Sequence, residues 1–366
     1  MTAHDGRPTP LQTLIREAIA EAGGWLGFDD FMALALYAPG LGYYSGARQK
    51  FGTMPADGSD FVTAPELSPL FGRALAAQLD QALSASATDT VFEFGAGSGA
   101  LAAQLLQALG DRVARYCIVD LSGSLRARQA ERLAAWGDKV QWLDALPERF
   151  AGVVVGNEVL DAMPVQLMRF DGQQWLERGV VWTGAGFAWG ERETGLSLPA
   201  EVANDPYPGG YLTELHAQAE GFVRTLAAGL QRGAIFLIDY GFPEREYYHP
   251  QRAGGTVMCH HQHRADADPL ALVGEKDITA HINFTGIALA GQDAGLTVLG
   301  YTSQANFLIN CGLTALLCEA DLAGRAMAHR LIAEHEMGEL FKVIGFVAGE
   351  SFEALGFAAG DRSHML

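Results

Sequence analysis

The chain has 366 residues, of which 49% are hydrophobic and 19% charged, and its formal net charge is −18. So apolar a composition excludes disorder over most of the length and supplies core for two average domains or one enlarged α/β domain with insertions. The acidic balance disfavours nucleic acid and anionic membrane surfaces as partners and suits a cationic partner better, with plain solubility as the alternative.

Taken in chain order, residues 11–37 read as helices, with Leu11, Leu14, Ile15, Ala18 and Ile19 at helical spacing, Gly23-Gly24 as a break and Asp29-Asp30 as a cap for the second helix. A turn-rich stretch, Pro39–Gly46, follows. Phe51–Pro69 lacks periodicity but is rich in aromatic and small polar residues, as in a loop that lines a site or packs on the surface. Leu70–Leu83 returns to helix. Strand and helix then alternate: strand Thr90–Phe94, helix Ala100–Leu109, strand Arg115–Val119, helix Leu125–Trp136, strand Lys139–Leu143 and strand Gly152–Val155. That order predicts βαβ units and a parallel sheet. After Pro164 the pattern predicts antiparallel strands at Leu167–Phe170, Gln174–Val181 and Phe187–Trp189, then a helix over Leu212–Leu230 and a buried strand at Ala234–Ile238. Residues 241–284 form a stretch long enough to be functional or to carry small elements of its own. A helix at Ile287–Ala294, a strand at Thr297–Tyr301, helices to Glu336 and an apolar strand at Phe341–Ala348 complete the chain.

No uncharged apolar run approaches the ~20 residues of a membrane span, so no membrane insertion is expected. Cys117, Cys259, Cys311 and Cys318 match neither a disulfide scaffold nor a CxxC pattern, and Met1–Gly6 has no basic, then apolar leader. Both features suggest reduced thiols in a cytoplasmic protein. Cys259-His260-His261-Gln262-His263 gives no tetrahedral ligand set, so no metal is expected, and His263 reads as a residue that orders its loop.

The segment Glu93-Phe94-Gly95-Ala96-Gly97-Ser98-Gly99 ends the first of the alternating strands and opens a helix. Gly95, Gly97 and Gly99 permit a sharp turn and close backbone approach to a ligand. With Ala100 the segment also meets the relaxed dinucleotide pattern, so the turn alone fits either a dinucleotide or S-adenosylmethionine. Glu93 favours the latter: a carboxylate suits the cationic methionine end and has no evident use beside a pyrophosphate. Ala96 belongs to the same cradle. Asp120, ending the next strand, stands where ribose hydroxyls are bound, and Asp144, ending the third, is within reach of the adenine amino group. Gly156-Asn157-Glu158-Val159-Leu160-Asp161-Ala162-Met163-Pro164 follows the fourth strand, so Asn157, Glu158 and Asp161 are expected to face the transferable methyl. A helical turn there places Glu158 and Asp161 on one face to grip a cationic nucleophile; the alternative for Asp161 is a helix cap. Asp239 either lines the acceptor side or orders its turn. Glu66 either closes over the donor or caps the next helix. Tyr240, Tyr247 and Tyr248 line a groove or simply pack.

These segments carry a resemblance. Phe31–Tyr37 with Gly42-Tyr43-Tyr44, Asp60–Ser68 with Phe71-Gly72, Glu93–Gly99, Asn157–Pro164, Ile238–Gly241, Gln251–Thr256 and Asp277–Phe284 resemble the MidA-type methyltransferases, bacterial relatives of mitochondrial assembly-factor methyltransferases of respiratory complex I. Phe61–Glu66 and Asp277–His281 are its more specific parts. The resemblance implies a class I methyltransferase fold, Rossmann-like with a mostly parallel seven-stranded sheet, and S-adenosylmethionine as donor. In the mitochondrial members it implies symmetric ω-N methylation of arginine in a protein substrate. Asp120 stands where glutamate is more frequent, which keeps the ribose chemistry. Asn283 stands where aspartate is common, which removes an acidic role there. Arginine has no free lone pair at neutral pH, so Glu158 with Asp161 is expected to orient its guanidinium, and His281 or Asp277 to take the proton. A small cationic or hydroxyl acceptor, and a non-catalytic assembly factor binding S-adenosylmethionine, are the other readings. The expected organisation is a helical segment or lid over residues 1–84 and a methyltransferase core over 85–366, with insertions at about 165–232 and 241–284.

Overall fold

The computed structural model describes residues 8–45, 62–120 and 123–366. Gly46, the Phe51–Phe61 part of the aromatic loop and the motif start Asp60-Phe61 lie outside them. The chain divides into two compact units, one from Met1–Arg48, Ala162–Gln218 and Tyr248–Ala280, the other from Gln49–Asp161, Ala219–Tyr247 and His281–Leu366.

The second unit is built on an eight-stranded sheet. Its principal strands are β1 (Thr90–Phe94), β2 (Arg115–Val119), β3 (Val140–Leu143), β4 (Phe150–Asn157), β5 (Leu230–Phe242), β6 (Thr297–Ser303) and β7 (Phe341–Ala348). They lie in the order β6-β7-β5-β4-β1-β2-β3. β7 runs antiparallel to both neighbours; the remaining pairs on this path are parallel. The short strand Ile282–Asn283 extends the sheet beside the end of β5. The central strands are buried along nearly their whole length, as continuous apolar runs such as Val153-Val154-Val155 require when helices cover both faces. Connections leave β1 towards β2 on one side and return to β4 on the other. The carboxyl ends of β1 and β4 therefore flank the switch point, where open α/β sheets bind ligands. The core gathers Leu75, Leu79, Leu105, Tyr116, Val155, Phe236 and Val343. Helix Pro69–Ala85, which the sequence reading places ahead of its boundary at 84, belongs to this core: the Gly72 amide donates to Gln104 of helix Ala100–Leu109 at 2.9 Å.

The first unit carries helices Pro10–Glu21 and Phe28–Tyr37. Thr9 and Gln12 form a capping box at the start of the former. The unit also has a five-stranded antiparallel sheet. Leu11, Ile15, Ile19, Phe31, Leu36 and Val180 belong to its core. A three-stranded sheet holds Met258–His261 between Arg264–Asp266 and Asp277–Thr279, so residues 241–284 do carry elements of their own. Among the described residues no helix is long and apolar enough to cross a membrane.

Three local expectations fail. Leu212–Leu215 is not helix but a strand paired with Gln166–Phe170, and the helix begins at Ala217. Leucines three apart share a face only in a helix, and here the available sheet edge overrides that local signal. Asp29 and Asp30 lie in the first turn of their helix, which Gly27 opens without a side-chain cap. The residues after β4 form an irregular turn, not a helix.

Candidate active site at the carboxyl ends of β1, β2, β4 and β5

Gly95, Gly97 and Gly99 adopt φ of 63°, 53° and 80°. Residues with a Cβ pay for that region in steric strain, so the alternation of glycines is what lets the chain fold into a tight turn here. Gly99 is the N-cap of helix Ala100–Leu109. A Cβ on Gly95 would lie 3.0 Å from Val159 Cγ2, which brings the turn against the segment after β4. Ala96, within the turn, is buried.

Glu93 is buried, and the Tyr116 hydroxyl donates to its carboxylate at 2.7 Å. Burial pushes the Glu93 carboxyl up to about 8; Tyr116 opposes the rise and the nearby Asp120 adds to it. Asp120 is half-buried at the end of β2. One residue not singled out from the sequence, Gln129, holds it. The Gln129 side-chain amide donates to Asp120 Oδ2 at 2.9 Å and to the Gly97 carbonyl at 3.0 Å, and accepts from Trp142 Nε1 at 2.9 Å. Its sequence signal is a neutral amide on a helix otherwise studded with Arg126, Arg128, Glu131 and Arg132. Asp144, in contrast, is solvent-exposed and paired with Arg126 at 2.7 Å.

Asn157 ends β4, its Nδ2 donating to Glu158 Oε1 at 2.8 Å while its buried Oδ1 meets no hydrogen-bond donor among the described residues. Glu158 lies at φ 54°, its amide donating to the Ile238 carbonyl at 2.9 Å. A left-handed glutamate at a strand end is a strained conformation of the kind that clusters at functional sites. The strain is held by Asp239. Its Oδ2 accepts the amides of Val159, Leu160 and Asp161 at 3.2, 2.9 and 3.2 Å, and its Oδ1 accepts that of Tyr240 at 2.9 Å. Asp239 thus orders the turn. Asp161 opens no helix; its carboxylate accepts the Tyr240 hydroxyl. Burial, then the charges of Asp161 and Glu158, raises the Asp239 carboxyl well above the ordinary range. His281 packs against Tyr240 and Phe242, with ring centroids 5.1 and 5.4 Å apart. Glu158, Asp161, Asp239, Tyr240 and His281 therefore form one cluster in the second unit.

Other candidates fall elsewhere. Asp277 belongs to the first unit, buried and accepting from the Tyr44 hydroxyl at 2.9 Å. Asn283 caps helix Phe284–Asp293 through the Gly286 amide at 3.3 Å. Tyr247 and Tyr248 are buried, the Tyr248 hydroxyl donating to the Glu214 carbonyl at 3.1 Å. Gln262 and His263, at φ 50° and 58°, turn the hairpin that follows Met258–His261. Ser68, not Glu66, caps the helix at Pro69. Glu66 instead accepts from the Ser98 hydroxyl within the glycine turn and from Arg132 at 3.0 Å.

The family described as “Putative S-adenosyl-L-methionine-dependent methyltransferase” matches residues 70–302. The chain belongs to this family of MidA-type methyltransferases. A Burkholderia thailandensis protein described as a “likely methyl transferase”, bound to S-adenosyl-homocysteine, is 53% identical over 98% of this chain and 99% of its own, with a TM-score of 0.94. Among curated relatives, the mitochondrial protein arginine methyltransferase NDUFAF7 of Danio rerio is 26% identical over 88% of this chain and 83% of its own. Its Caenorhabditis elegans homologue is 24% identical over 78% and 72%. S-adenosylmethionine is thus the cofactor of this methyltransferase. The site fits such a donor: a close-approach turn, a braced acidic side chain at the end of β2, and an orphaned acceptor at Asn157 Oδ1.

Proposed function

We propose that this methyltransferase acts on an arginine of a protein substrate. The observation that carries the reading is Glu158, held in a left-handed conformation beside the Asp239–Asp161–Tyr240 cluster at the switch point. A guanidinium is charged, planar and delocalised, and a carboxylate that binds it in plane draws the positive charge onto the nitrogens it contacts and leaves the far nitrogen more nucleophilic. Glu158 takes that part. Asp161, engaged by Tyr240, fixes the tyrosine ring, and His281 beside it accepts the proton released on transfer. Glu93, Gly95, Ala96, Gly97, Gly99, Asp120 and Asn157 hold the donor. Asp144 reaches the adenine once its exposed pairing with Arg126 is exchanged. The bound cofactor supplies an electrophilic methyl on sulfur; the chain's task is alignment, which provides much of the acceleration in such displacements. The names of the curated relatives support the arginine reading.

The test is incubation with labelled S-adenosylmethionine and cell extract, followed by mass spectrometry of modified residues. Arginine methylation by the wild type and its loss in Glu158→Gln support the proposal. Label on a small molecule alone, or undiminished arginine methylation by Glu158→Gln, sinks it.

A further inference from the structure

We infer that Gln129 is a positioning residue of the donor pocket, which sets the spacing between the glycine turn and Asp120. The inference rests on the assignment of this region to the donor.

Gln129 is fully buried, on helix Gly123–Arg132. A glutamine amide has two N–H donors and one carbonyl oxygen. Here both donor directions and the oxygen are used at 2.9–3.0 Å: Gly97 O and Asp120 Oδ2 receive hydrogens from Nε2, and Oε1 receives one from Trp142 Nε1. These partners come from the β1 turn, the end of β2 and β3, three neighbouring elements that the sheet pairs upstream. A single planar group therefore fixes the carbonyl of the turn, the plane of the Asp120 carboxylate and the indole of Trp142 together. The hydrogen bond to Asp120 is part-buried and charge-assisted, so it is directional. The consequence is specific. A carboxylate that binds ribose hydroxyls must present its oxygens at a fixed orientation, and because the χ2 preference of aspartate is broad, its hydrogen-bond partners set that orientation. Gln129 acts through Asp120 and the turn without touching the donor, so its removal should blunt recognition of the ribose and leave the remainder of the nucleoside less affected.

Calorimetric binding of S-adenosylhomocysteine and of its 2′-deoxyribose analogue to the full chain tests this. The variants are Gln129→Met, Asp120→Asn and the pair combined. Expected are a loss of about tenfold for Gln129→Met, a collapse of the discrimination between the two ligands, and no further loss when the variant is added to Asp120→Asn. Equal weakening of both ligands by Gln129→Met, with wild-type discrimination intact, overturns the inference, because a merely structural role acts that way. Unchanged binding by Asp120→Asn overturns the donor assignment beneath it, a separate outcome. Should Gln129→Met fail to fold, Gln129→Glu serves. It sets a second carboxylate against Asp120, so binding should recover as the pH falls and glutamate gains a proton to donate. A pH profile parallel to wild type speaks against the inference.

Discussion

Asp239 Oδ2 lies 2.9 Å from the amide nitrogen of Leu160 and accepts its hydrogen. The same oxygen receives the amides of Val159 and Asp161, so a side chain of β5 gathers the backbone that follows β4. Glu158, at φ 54°, is thereby fixed at the head of this turn. Replacing Asp239 by alanine leaves several buried amides unpaired and should cost about 2–4 kcal/mol. Asparagine keeps one acceptor oxygen and nearly the same shape, so Asp239→Asn should fold and still bind S-adenosylhomocysteine, while methyl transfer falls about tenfold or more as the Glu158 geometry loosens. Thermal melts alongside single-turnover rates separate the two effects. A Asp239→Asn enzyme with wild-type transfer rate would show that the turn needs no carboxylate.

Glu93 supplies a pH-dependence whose sign is set by burial. Its carboxyl rises from the ordinary 4.5 to about 8, so the folded protein holds this proton more tightly than the unfolded chain. The stability it contributes is complete below about 4.5 and is lost as the pH climbs through about 8, at roughly 1.4 kcal/mol per pH unit in that window. Glu93→Gln removes this slope. Denaturant unfolding from pH 4.5 to 9 should show wild type falling relative to the variant, and parallel curves would rule out the protonated state. A cationic amino group docking beside Glu93 should expel the proton. Calorimetry of S-adenosylhomocysteine at pH 7 in buffers of differing ionisation enthalpy should then register proton release, absent in Glu93→Gln.

The extent to which the sequence foretells this site follows the range of the interactions involved. Thr90–Gly99 was legible because an apolar strand, glycines and a helix start are all local signals. The same holds for Asp120 at the end of β2 and for the parallel core written in Val153–Val155. Glu158 was legible as a position but not as a conformation: the helical spacing to Asp161 misled, because the turn is dictated by Asp239, some 78–80 residues on. Gln129 stood out only as a neutral amide among charged helix residues, and its role was hidden for the same reason. Its partners Gly97 and Trp142 lie on different strands, and an amide in a helix carries no sign of what it will meet. Asp277 and His281, four residues apart, ended in different units, so a contiguous motif split into two structural roles.

Gly95 combines two constraints that mutation can separate. Its φ of 63° disfavours any side chain, and a Cβ there would stand 3.0 Å from Val159 Cγ2. Gly95→Ala should cost about 1–2 kcal/mol from the backbone alone, with the Val159 contact added. Val159→Ala removes the contact but not the strain, so the double variant should regain part of the stability and little of the S-adenosylhomocysteine affinity. Full recovery of both would assign the glycine to packing alone.

Arg132 and Glu66 make the last prediction, in which stability and binding part company. Their ion pair spans 3.0 Å, with the Arg132 side chain 40% exposed, and surface pairs of this kind contribute only about 0–1 kcal/mol to folding. Both also meet Ser98, inside the glycine turn, Arg132 at 2.5 Å and Glu66 through the hydroxyl it accepts. The pair therefore restrains the turn proposed above to hold the donor, and loosening it should raise the rate at which bound nucleoside leaves. Arg132→Met and Glu66→Gln should each shift the melting temperature by no more than a few degrees, while S-adenosylhomocysteine dissociation in stopped flow accelerates several-fold. Since both act on Ser98, the double variant should release the ligand no faster than the stronger single one, a coupling that distant, independent sites do not show. Additive effects, or dissociation at the wild-type rate, would mean that the Glu66 segment only packs against the turn.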